Sequence, residues 1–324
     1  MTVHWGTLIK EMREGSVRAL ARLVTHVENR APGWMDAMKR IYPDAGNAKL
    51  IGITGSPGAG KSTLTNGMTR ELVDRGHKVG IIAVDPSSPF SGGSLLGDRI
   101  RMRDISGLDN VFIRSMATRG ALGGLNQSAR DVAKIMDAFG KDIILIETVG
   151  VGQDEVEVVK AADLVLVIIV PGQGDSIQAI KAGIMEIADV FVVNKADRDG
   201  AEQVVLDIQA MLDLNADPGL PKIPILKTVA NRGEGITELV ETALKLLESH
   251  ERRLGWQEAR VQEELIGLVE KELVSLIKKE WEKDGGLKRA VRQILAQEKD
   301  PYSVAQDMLA PLVSRFDGEG SVNE

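Results

Sequence analysis

A glycine-rich segment, "LIGITGSPGAGKSTL", carries the residues whose types and spacing most directly indicate chemistry. It contains Gly60, Lys61 and Ser62 in the pattern G-x-x-x-x-G-K-[ST], between a strand-like apolar run and a helical pattern. Glycines let such a loop curl so that backbone N–H groups face an anion, and the positive end of the next helix adds attraction. The segment therefore predicts a phosphate-binding loop in which Lys61 reaches the β- and γ-phosphates and Ser62 ligates Mg²⁺. The residues expected to line the nucleotide phosphates are Gly55, Pro57, Gly58, Ala59, Gly60, Lys61, Ser62 and Thr63.

A second polar segment, "VFVVNKADRDG", indicates which base is bound. Asn194, Lys195 and Asp197 follow an apolar run, at the strand end where open α/β sheets bind ligands. An aspartate carboxylate can accept hydrogen bonds from guanine N1–H and from the exocyclic amine, whereas adenine offers no such pair of donors. Downstream, "LKTVANRGEGI" supplies a loop from Thr228 to Asn231 that is predicted to close over the base through Val229 and Ala230. The pattern favours GTP and GDP over ATP.

Three acidic residues are candidates for the metal shell. Glu147 ends the run "DIILIE", at the position where phosphate-loop enzymes usually hold Mg²⁺ with an aspartate. Because glutamate is one methylene longer than aspartate, Glu147 could contact the ion through a metal-bound water. Asp85 and Asp98 lie in "VDPSSPFSGGSLLGDRIRM", whose composition suits either a linker or a hinge that responds to the γ-phosphate. The two aspartates favour the hinge, although each one singly could instead cap a turn or a helix.

These residues need a sheet to position them. Seven apolar runs, rich in β-branched residues, alternate with helical patterns from Lys49 onward. Continuously apolar runs are typical of parallel strands that are covered on both faces, so the alternation predicts a doubly wound α/β fold. The runs are "LIGIT", "KVGIIAV", "VFIRS", "DIILIE", "LVLVIIV", "VFVVN" and "PILKTVA".

Helical patterns flank the predicted sheet on both sides. We expect an N-terminal helical extension over residues 1–46, a nucleotide-binding domain over 47–250 and a C-terminal helical arm over 251–324. In the arm, six apolar residues form a stripe that would either pack within the chain or contact a partner. The stripe consists of Leu265, Leu268, Val269, Leu273, Leu276 and Ile277.

The overall composition excludes several classes of function. The 324-residue chain has a net charge of −7, which argues against a nucleic-acid interface. No apolar run reaches membrane-spanning length, and the N-terminus lacks the apolar core of a signal peptide. Without cysteine, disulfides, thiol catalysis and Cys-ligated metals are excluded. We therefore predict a cytoplasmic protein that binds neither nucleic acid nor membrane.

Taken together, the motifs resemble the GTPases that accompany cobalamin-dependent acyl-CoA mutases, the MeaB/ArgK family, which includes the methylmalonic aciduria type A protein. The resemblance extends over nearly the whole chain and implies a P-loop GTPase domain with N-terminal and C-terminal helical extensions. It also implies a homodimeric chaperone that gates cofactor loading and protects a mutase such as methylmalonyl-CoA mutase. The matching segments are "GSPGAGKSTL", "VDPSSPFSGGSLLGDRIRM", "ETVGVGQDE", "PGQGDSIQAIKAGI" and "NKAD".

The resemblance also implies roles for individual residues. A loop from Pro171 to about Gly183 would report the nucleotide state to the partner, and within it Asp175 and Lys181 match family positions tied to GTPase activation. For Lys181, an ordinary surface lysine is the alternative. The residues that would organise phosphates and Mg²⁺ are Lys61, Ser62, Asp85, Asp98 and Glu147, and those expected to be catalytic are Lys61, Asp98, Glu147 and Lys181.

An alternative function is a kinase or transport accessory protein that uses the same phosphate loop. Such a protein would use ATP and pass its γ-phosphate to an acceptor other than water, and the guanine-type "NKAD" segment argues against it. A nucleotide-switched scaffold that its arm merely dimerises is compatible with the chaperone. Since the motifs specify no arginine finger or catalytic glutamine, a GTPase that is slow until a partner accelerates it is expected.

Overall fold

The computed structural model describes residues 3–85, 105, 107–117, 124–148, 162–172, 187–214, 222–283 and 285–318. The chain divides into two compact units, Met1–Leu254 and Gly255–Glu324. The three-part division that the sequence suggests stays a prediction. Among the described residues, no helix is both long and apolar enough to span a bilayer.

One parallel sheet forms the centre of the larger unit. In the described part of the chain it has seven strands in the order β3-β2-β4-β1-β5-β6-β7, and every neighbouring pair runs parallel. Each of the seven predicted runs coincides with one strand to within two residues at either end, which confirms the α/β fold. The strands are β1 (Lys49–Gly55), β2 (Val79–Asp85), β3 (Val111–Ala117), β4 (Ile143–Thr148), β5 (Leu164–Ile169), β6 (Val190–Asn194) and β7 (Ile225–Thr228).

Ten α-helices accompany the sheet within the described residues. Short 3₁₀ turns at Tyr42–Asp44 and Ala230–Arg232 complete the regular structure there. The helices are α1 (Trp5–Arg13), α2 (Val17–Glu28), α3 (Trp34–Ile41), α4 (Lys61–Asp74), α5 (Gly124–Ala138), α6 (Ala201–Leu214), α7 (Ile236–Glu248), α8 (His250–Lys283), α9 (Gly286–Leu295) and α10 (Pro301–Gly318).

Helices cover both faces of the sheet. Successive strand residues point to opposite faces, so an entirely apolar strand has two faces to bury. On β4, Ile144 and Ile146 belong to the core that α1, α2, α3 and α5 share. Ile143 and Leu145 belong to the opposite core, which includes residues of α4 and α7. All four side chains are buried, which explains why the strand has no polar alternation.

The N-terminal helices are anchored to α5 by polar contacts. Asp131 of α5 accepts a hydrogen bond from Arg30 at 2.6 Å, and Asp137 accepts one from the Ala48 N–H at 3.0 Å. Burial raises the pKa of Asp131, and the Arg30 guanidinium opposes that shift. The N-terminal segment therefore packs against α5 through both apolar and charged groups.

Three aspartates fix the register of neighbouring strands. Asp142, Asp163 and Asp189 each stand directly before a strand, namely β4, β5 and β6. Each aspartate forms two hydrogen bonds with one partner residue, which lies on the adjacent strand or just before it. The aspartate N–H donates to the partner's carbonyl, and the partner's N–H donates to the aspartate carboxylate. These paired hydrogen bonds satisfy backbone groups at the starts of the strands. The partners are Lys78, Leu50 and Val165, with amide-to-carboxylate distances of 2.7, 2.8 and 2.9 Å.

The apolar stripe of the C-terminal arm lies on α8 and is largely exposed. Leu265, Leu268, Val269, Leu273 and Leu276 are between 40% and 60% exposed, and Ile277 is half-buried. This exposure favours contact of the stripe with a partner over packing of the stripe within the same chain.

Candidate functional site

The glycine-rich loop connects β1 to α4 at the centre of the sheet. Because β4 and β5 flank β1 on opposite sides, the loop lies where the strand order reverses, which is the usual ligand-binding edge of such sheets. A Cβ on Gly55 would collide with the carbonyl oxygen of Ile168 on β5, and one on Gly60 would lie 2.5 Å from Nδ2 of Asn194. Only glycine permits this approach. Since Gly60 caps α4 without a side chain, the first N–H groups of the helix have no side-chain acceptor from their cap.

Lys61 is buried beneath this loop at the start of α4. Its Nζ donates to the carbonyl oxygens of Gly55 at 2.7 Å and Ser56 at 3.0 Å. The ammonium group thus lies against the backbone of the loop. A positive charge at this place can bind phosphate oxygens.

Ser62 and Glu147, two of the predicted metal ligands, are in contact. The Ser62 hydroxyl donates to Oε1 of Glu147, and the Glu147 side chain is buried. Strand β4 lies between β1 and β2, where Ile53 and Ala83 are the residues paired with Glu147. The longer glutamate side chain therefore reaches the serine directly. A hydroxyl and a carboxylate together are ligand types that suit Mg²⁺, so the pair fits that ion. Among the described residues, no cluster of three or more His, Cys, Asp or Glu residues adds to this pair.

Asn194 joins the phosphate loop to the loop after β7. Its side chain is buried, and its Nδ2 donates to the Ala59 carbonyl at 2.8 Å. Its Oδ1 accepts from the Thr228 hydroxyl at 3.1 Å and from the Ala230 N–H at 3.2 Å. The sequence predicted this residue as a base contact, and the structure adds that its side chain braces the loops against one another.

Lys195 and Asp197 extend the same edge. Lys195 has a left-handed backbone, with φ of +57°, and its Nζ donates to the Gly58 carbonyl at 2.7 Å. Its stem therefore crosses to the phosphate loop, as expected of a lysine that lies along a base plane. Asp197 is exposed and lies 3.6 Å from the guanidinium of Arg232. A carboxylate in this position can accept the two donors of a guanine edge.

The structure gathers most of the predicted site residues at this edge. Val229 is buried and Ala230 half-buried beside Asn194, whereas Pro57, Gly58 and Thr63 form the exposed rim of the phosphate loop. Asp98, Asp175 and Lys181 lie outside the described residues, and for Asp85 the structure describes only the backbone, at the end of β2.

Thr228 was predicted only as the first residue of the loop that closes over the base, without a partner, and Arg232 was not predicted. Thr228 meets Asn194 because their strands pair in parallel with these two residues in register. Arg232 lies in the loop after β7 and faces the acid of the "NKAD" segment. The only sequence signal for Arg232 is a basic residue near the predicted base loop, and its partner becomes evident only when β6 and β7 are placed side by side.

A phosphate loop at the switch point of a doubly wound sheet, braced to an Asn-Lys-x-Asp segment, defines a P-loop GTPase. The chain belongs to the MeaB family, because the family profile described as "Methylmalonyl Co-A mutase-associated GTPase MeaB" matches residues 20–283. The resemblance stated from the sequence is thereby confirmed, and the family implies binding of GTP and GDP.

Individual relatives agree with this assignment. A putative GTPase of Pyrococcus abyssi is 45% identical over 312 residues, which cover 94% of this chain and 96% of that protein. The mouse methylmalonic aciduria type A homolog, a mitochondrial protein, is 41% identical over 198 residues, covering 59% of this chain and 47% of its own. A solved structure of a LAO/AO transport system kinase is 26% identical with a TM-score of 0.71, covering 96% of this chain and 99% of that one.

Proposed function

We propose that this GTPase is a chaperone of a cobalamin-dependent acyl-CoA mutase, with methylmalonyl-CoA mutase as the first candidate client. It gates the loading of the mutase cofactor, protects the mutase, and acts as a cytoplasmic homodimer. The family description, which names association with methylmalonyl-CoA mutase, supports the choice of client. The observation that carries the nucleotide-dependent part of the proposal is the set of hydrogen bonds at Asn194, which link the phosphate loop to the loop predicted to hold the base.

Each part of the site has a distinct task in this proposal. Asp197 accepts hydrogen bonds from guanine, Lys195 lines the base plane, and the loop that ends at Lys61 binds the phosphates. Because Asn194 contacts both loops, displacement of one loop is transmitted to the other. In this proposal, GTP and GDP set the two joined loops differently, and the client distinguishes the two states.

Ser62 and Glu147 would hold Mg²⁺ in this proposal. The bound ion would neutralise charge on the β- and γ-phosphate oxygens. Asp85 and Asp98 are proposed to complete the metal shell, and Lys181 to act in activation. The Ser62 hydroxyl donates a hydrogen bond to Glu147, which fixes the direction of its O–H bond. The lone pairs of the serine oxygen therefore point away from the carboxylate and can face the ion.

A kinase or transport accessory protein is the second candidate, favoured by the 26% identity shared with the solved LAO/AO transport system kinase. The two candidates differ in the acceptor of the γ-phosphate, which is water for the chaperone and another hydroxyl or protein group for a kinase. Terminally labelled GTP and ATP therefore separate them: the chaperone releases labelled phosphate from GTP alone.

The decisive experiment measures phosphate release from GTP by the full chain with and without a purified cobalamin-dependent mutase. We expect slow hydrolysis by the protein alone and an acceleration of about tenfold or more with the client, since partner-supplied groups have large effects in GTPases. Bovine serum albumin serves as the protein control. Fast turnover that is independent of every mutase tried, or label transferred to a protein or small molecule, would contradict the proposal.

A further inference from the structure

The two loops predicted to surround the base are joined by an ion pair that the sequence motifs do not include. Asp197 lies in the "NKAD" loop, and Arg232 lies in the 3₁₀ turn after β7. The Arg232 Nη2 atom is 3.6 Å from Oδ2 of Asp197. The contact therefore spans the gap between one loop and the next.

Arg232 is carried on a well-fixed turn. The Arg232 N–H donates to the Val229 carbonyl at 2.9 Å, and the Val229 N–H donates to the Glu234 carbonyl at 3.0 Å. A Cβ on Gly235 would collide with the Lys227 carbonyl oxygen, so the end of the turn packs directly on β7. The backbone that presents the guanidinium is thus fixed independently of Asp197.

The distance between the charges determines what the pair can do. Hydrogen bonds from N–H to oxygen span about 2.7–3.2 Å, so at 3.6 Å the guanidinium attracts the carboxylate by charge without forming a short hydrogen bond to it. The oxygen lone pairs of Asp197 stay able to accept from a ligand. An arginine in direct bidentate contact would compete with a base for the same lone pairs.

We propose that Arg232 is a positioning residue for guanine recognition: it holds the Asp197 carboxylate so that both oxygens meet the two donors of the base. The inference rests on the proposed role of Asp197 as the guanine contact. Guanine presents N1–H and an exocyclic amine, whereas hypoxanthine presents only N1–H. A carboxylate that is held in place gains from both donors, so Arg232 contributes more to binding of GDP than of IDP.

The first test compares GDP and IDP binding to the full chain by calorimetry. We expect R232A to weaken GDP binding about fivefold, the upper range for an exposed ion pair, and IDP binding by about twofold or less. R232K, which keeps the charge, retains most of the GDP affinity. E234A is the matched control, because Glu234 lies in the same turn and its carboxylate is 3.9 Å from Arg232; its GDP-to-IDP ratio stays that of the wild type.

The second test repeats R232A in the D197N background with XDP. An asparagine amide can donate to the C2 carbonyl of xanthine and accept from its N1–H, so D197N is expected to bind XDP. Without a negative charge at residue 197, R232A should change XDP affinity by less than about twofold. An equal loss in both backgrounds would overturn the inference, because Arg232 would then act on the nucleotide or on the fold.

An unchanged GDP-to-IDP ratio in R232A would also overturn the inference. Failure of the wild-type protein to bind GDP would instead contradict the proposed function. The unfolding midpoint of R232A, measured by circular dichroism, is expected to match that of the wild type within about 2 °C, as is usual for a surface substitution. If R232A is less stable than that, R232Q, which keeps a long polar side chain and removes the charge, is expected to show the same change in the GDP-to-IDP ratio.

Discussion

At the scale of single residues, the contact between Ser62 and Glu147 is a detail that the sequence did not predict. The longer acid suggested contact with a metal through water, and that stays a prediction; the structure adds that its carboxylate accepts a hydrogen bond from the serine hydroxyl. Both groups are placed by the regular structure, since Ser62 stands at the start of α4 and Glu147 near the end of β4. The site therefore brings an anionic ligand and a neutral ligand together without help from a loop.

Replacement of Glu147 by glutamine tests the proposed metal role. The amide oxygen can still accept from Ser62, but the negative charge that would attract Mg²⁺ is lost. We expect the rate of Mg²⁺-dependent GTP hydrolysis to fall about a hundredfold, in the range for loss of one charge-stabilising group, and the Mg²⁺ concentration for half-maximal activity to rise. GDP affinity in EDTA should change by less than about threefold, since the substitution leaves the base and phosphate contacts in place.

Glu71→Gln is the matched control, because Glu71 lies on α4, the helix that carries Ser62, and accepts a hydrogen bond from Arg75 at the surface. Its hydrolysis rate should match that of the wild type. Wild-type activity and Mg²⁺ dependence in E147Q would exclude Glu147 from the metal site.

At the scale of elements, the positions of strands were predictable and their order was not. A β-branched apolar run is a local property, so every predicted run coincides with a strand to within two residues at either end. The order depends on which side of β1 each crossover places its strand, and "DIILIE" and "LVLVIIV" contain nothing that assigns them to opposite sides. The aspartates before β4, β5 and β6 were visible in the sequence, but the strand that each one binds depends on that order.

The same distinction applies to the site. The phosphate loop, Glu147 and the "NKAD" segment were predictable because each is a contiguous motif at a strand end. The bonds of Asn194 to Ala59 and Thr228 connect three separate segments, and they require β1, β6 and β7 to be in place. Arg232 belongs to the same class, since its partner is 35 residues away in the chain and on another loop.

Removal of one strand-edge aspartate measures what these pairs contribute to stability. Asp189→Ala deprives the Val165 N–H of its carboxylate acceptor at the edge of β5. We expect the free energy of unfolding to fall by about 1–2 kcal/mol, the cost of a partly buried donor without its partner. Asp189→Asn keeps an acceptor oxygen and should lose less than half as much.

Urea unfolding followed by circular dichroism gives both values. Asp36→Ala is the control, because Asp36 makes an exposed pair with Lys39 within one helix turn, and its loss should change stability by less than about 0.5 kcal/mol. Equal effects of D189A and D36A would show that the aspartate before β6 does not fix the strand.

At the scale of the whole molecule, α8 carries an apolar face that is exposed within the described part of the chain. Ile266, Val269, Leu273 and Leu276 are separated by three, four and three residues and are all exposed. This spacing is typical of a helix seam that packs against another helix. A second copy of the chain presents the same face, which supports the proposed homodimer.

Charge placed in the middle of this seam should separate the dimer without affecting the nucleotide site. We expect the wild-type protein to be dimeric by light scattering and Leu273→Glu to be monomeric at the same concentration, because a buried unpaired carboxylate in an apolar seam costs several kcal/mol. Lys278→Glu places the same carboxylate at an exposed position on the opposite side of the same helix and should stay dimeric. GDP affinity should be equal in all three proteins within about twofold, because the residues proposed to bind the nucleotide all lie in the first unit. A monomeric wild-type protein, or an L273E variant that stays dimeric, would exclude this seam as the interface. If the monomeric variant is still stimulated by the mutase, the client recognises the GTPase unit without the dimer.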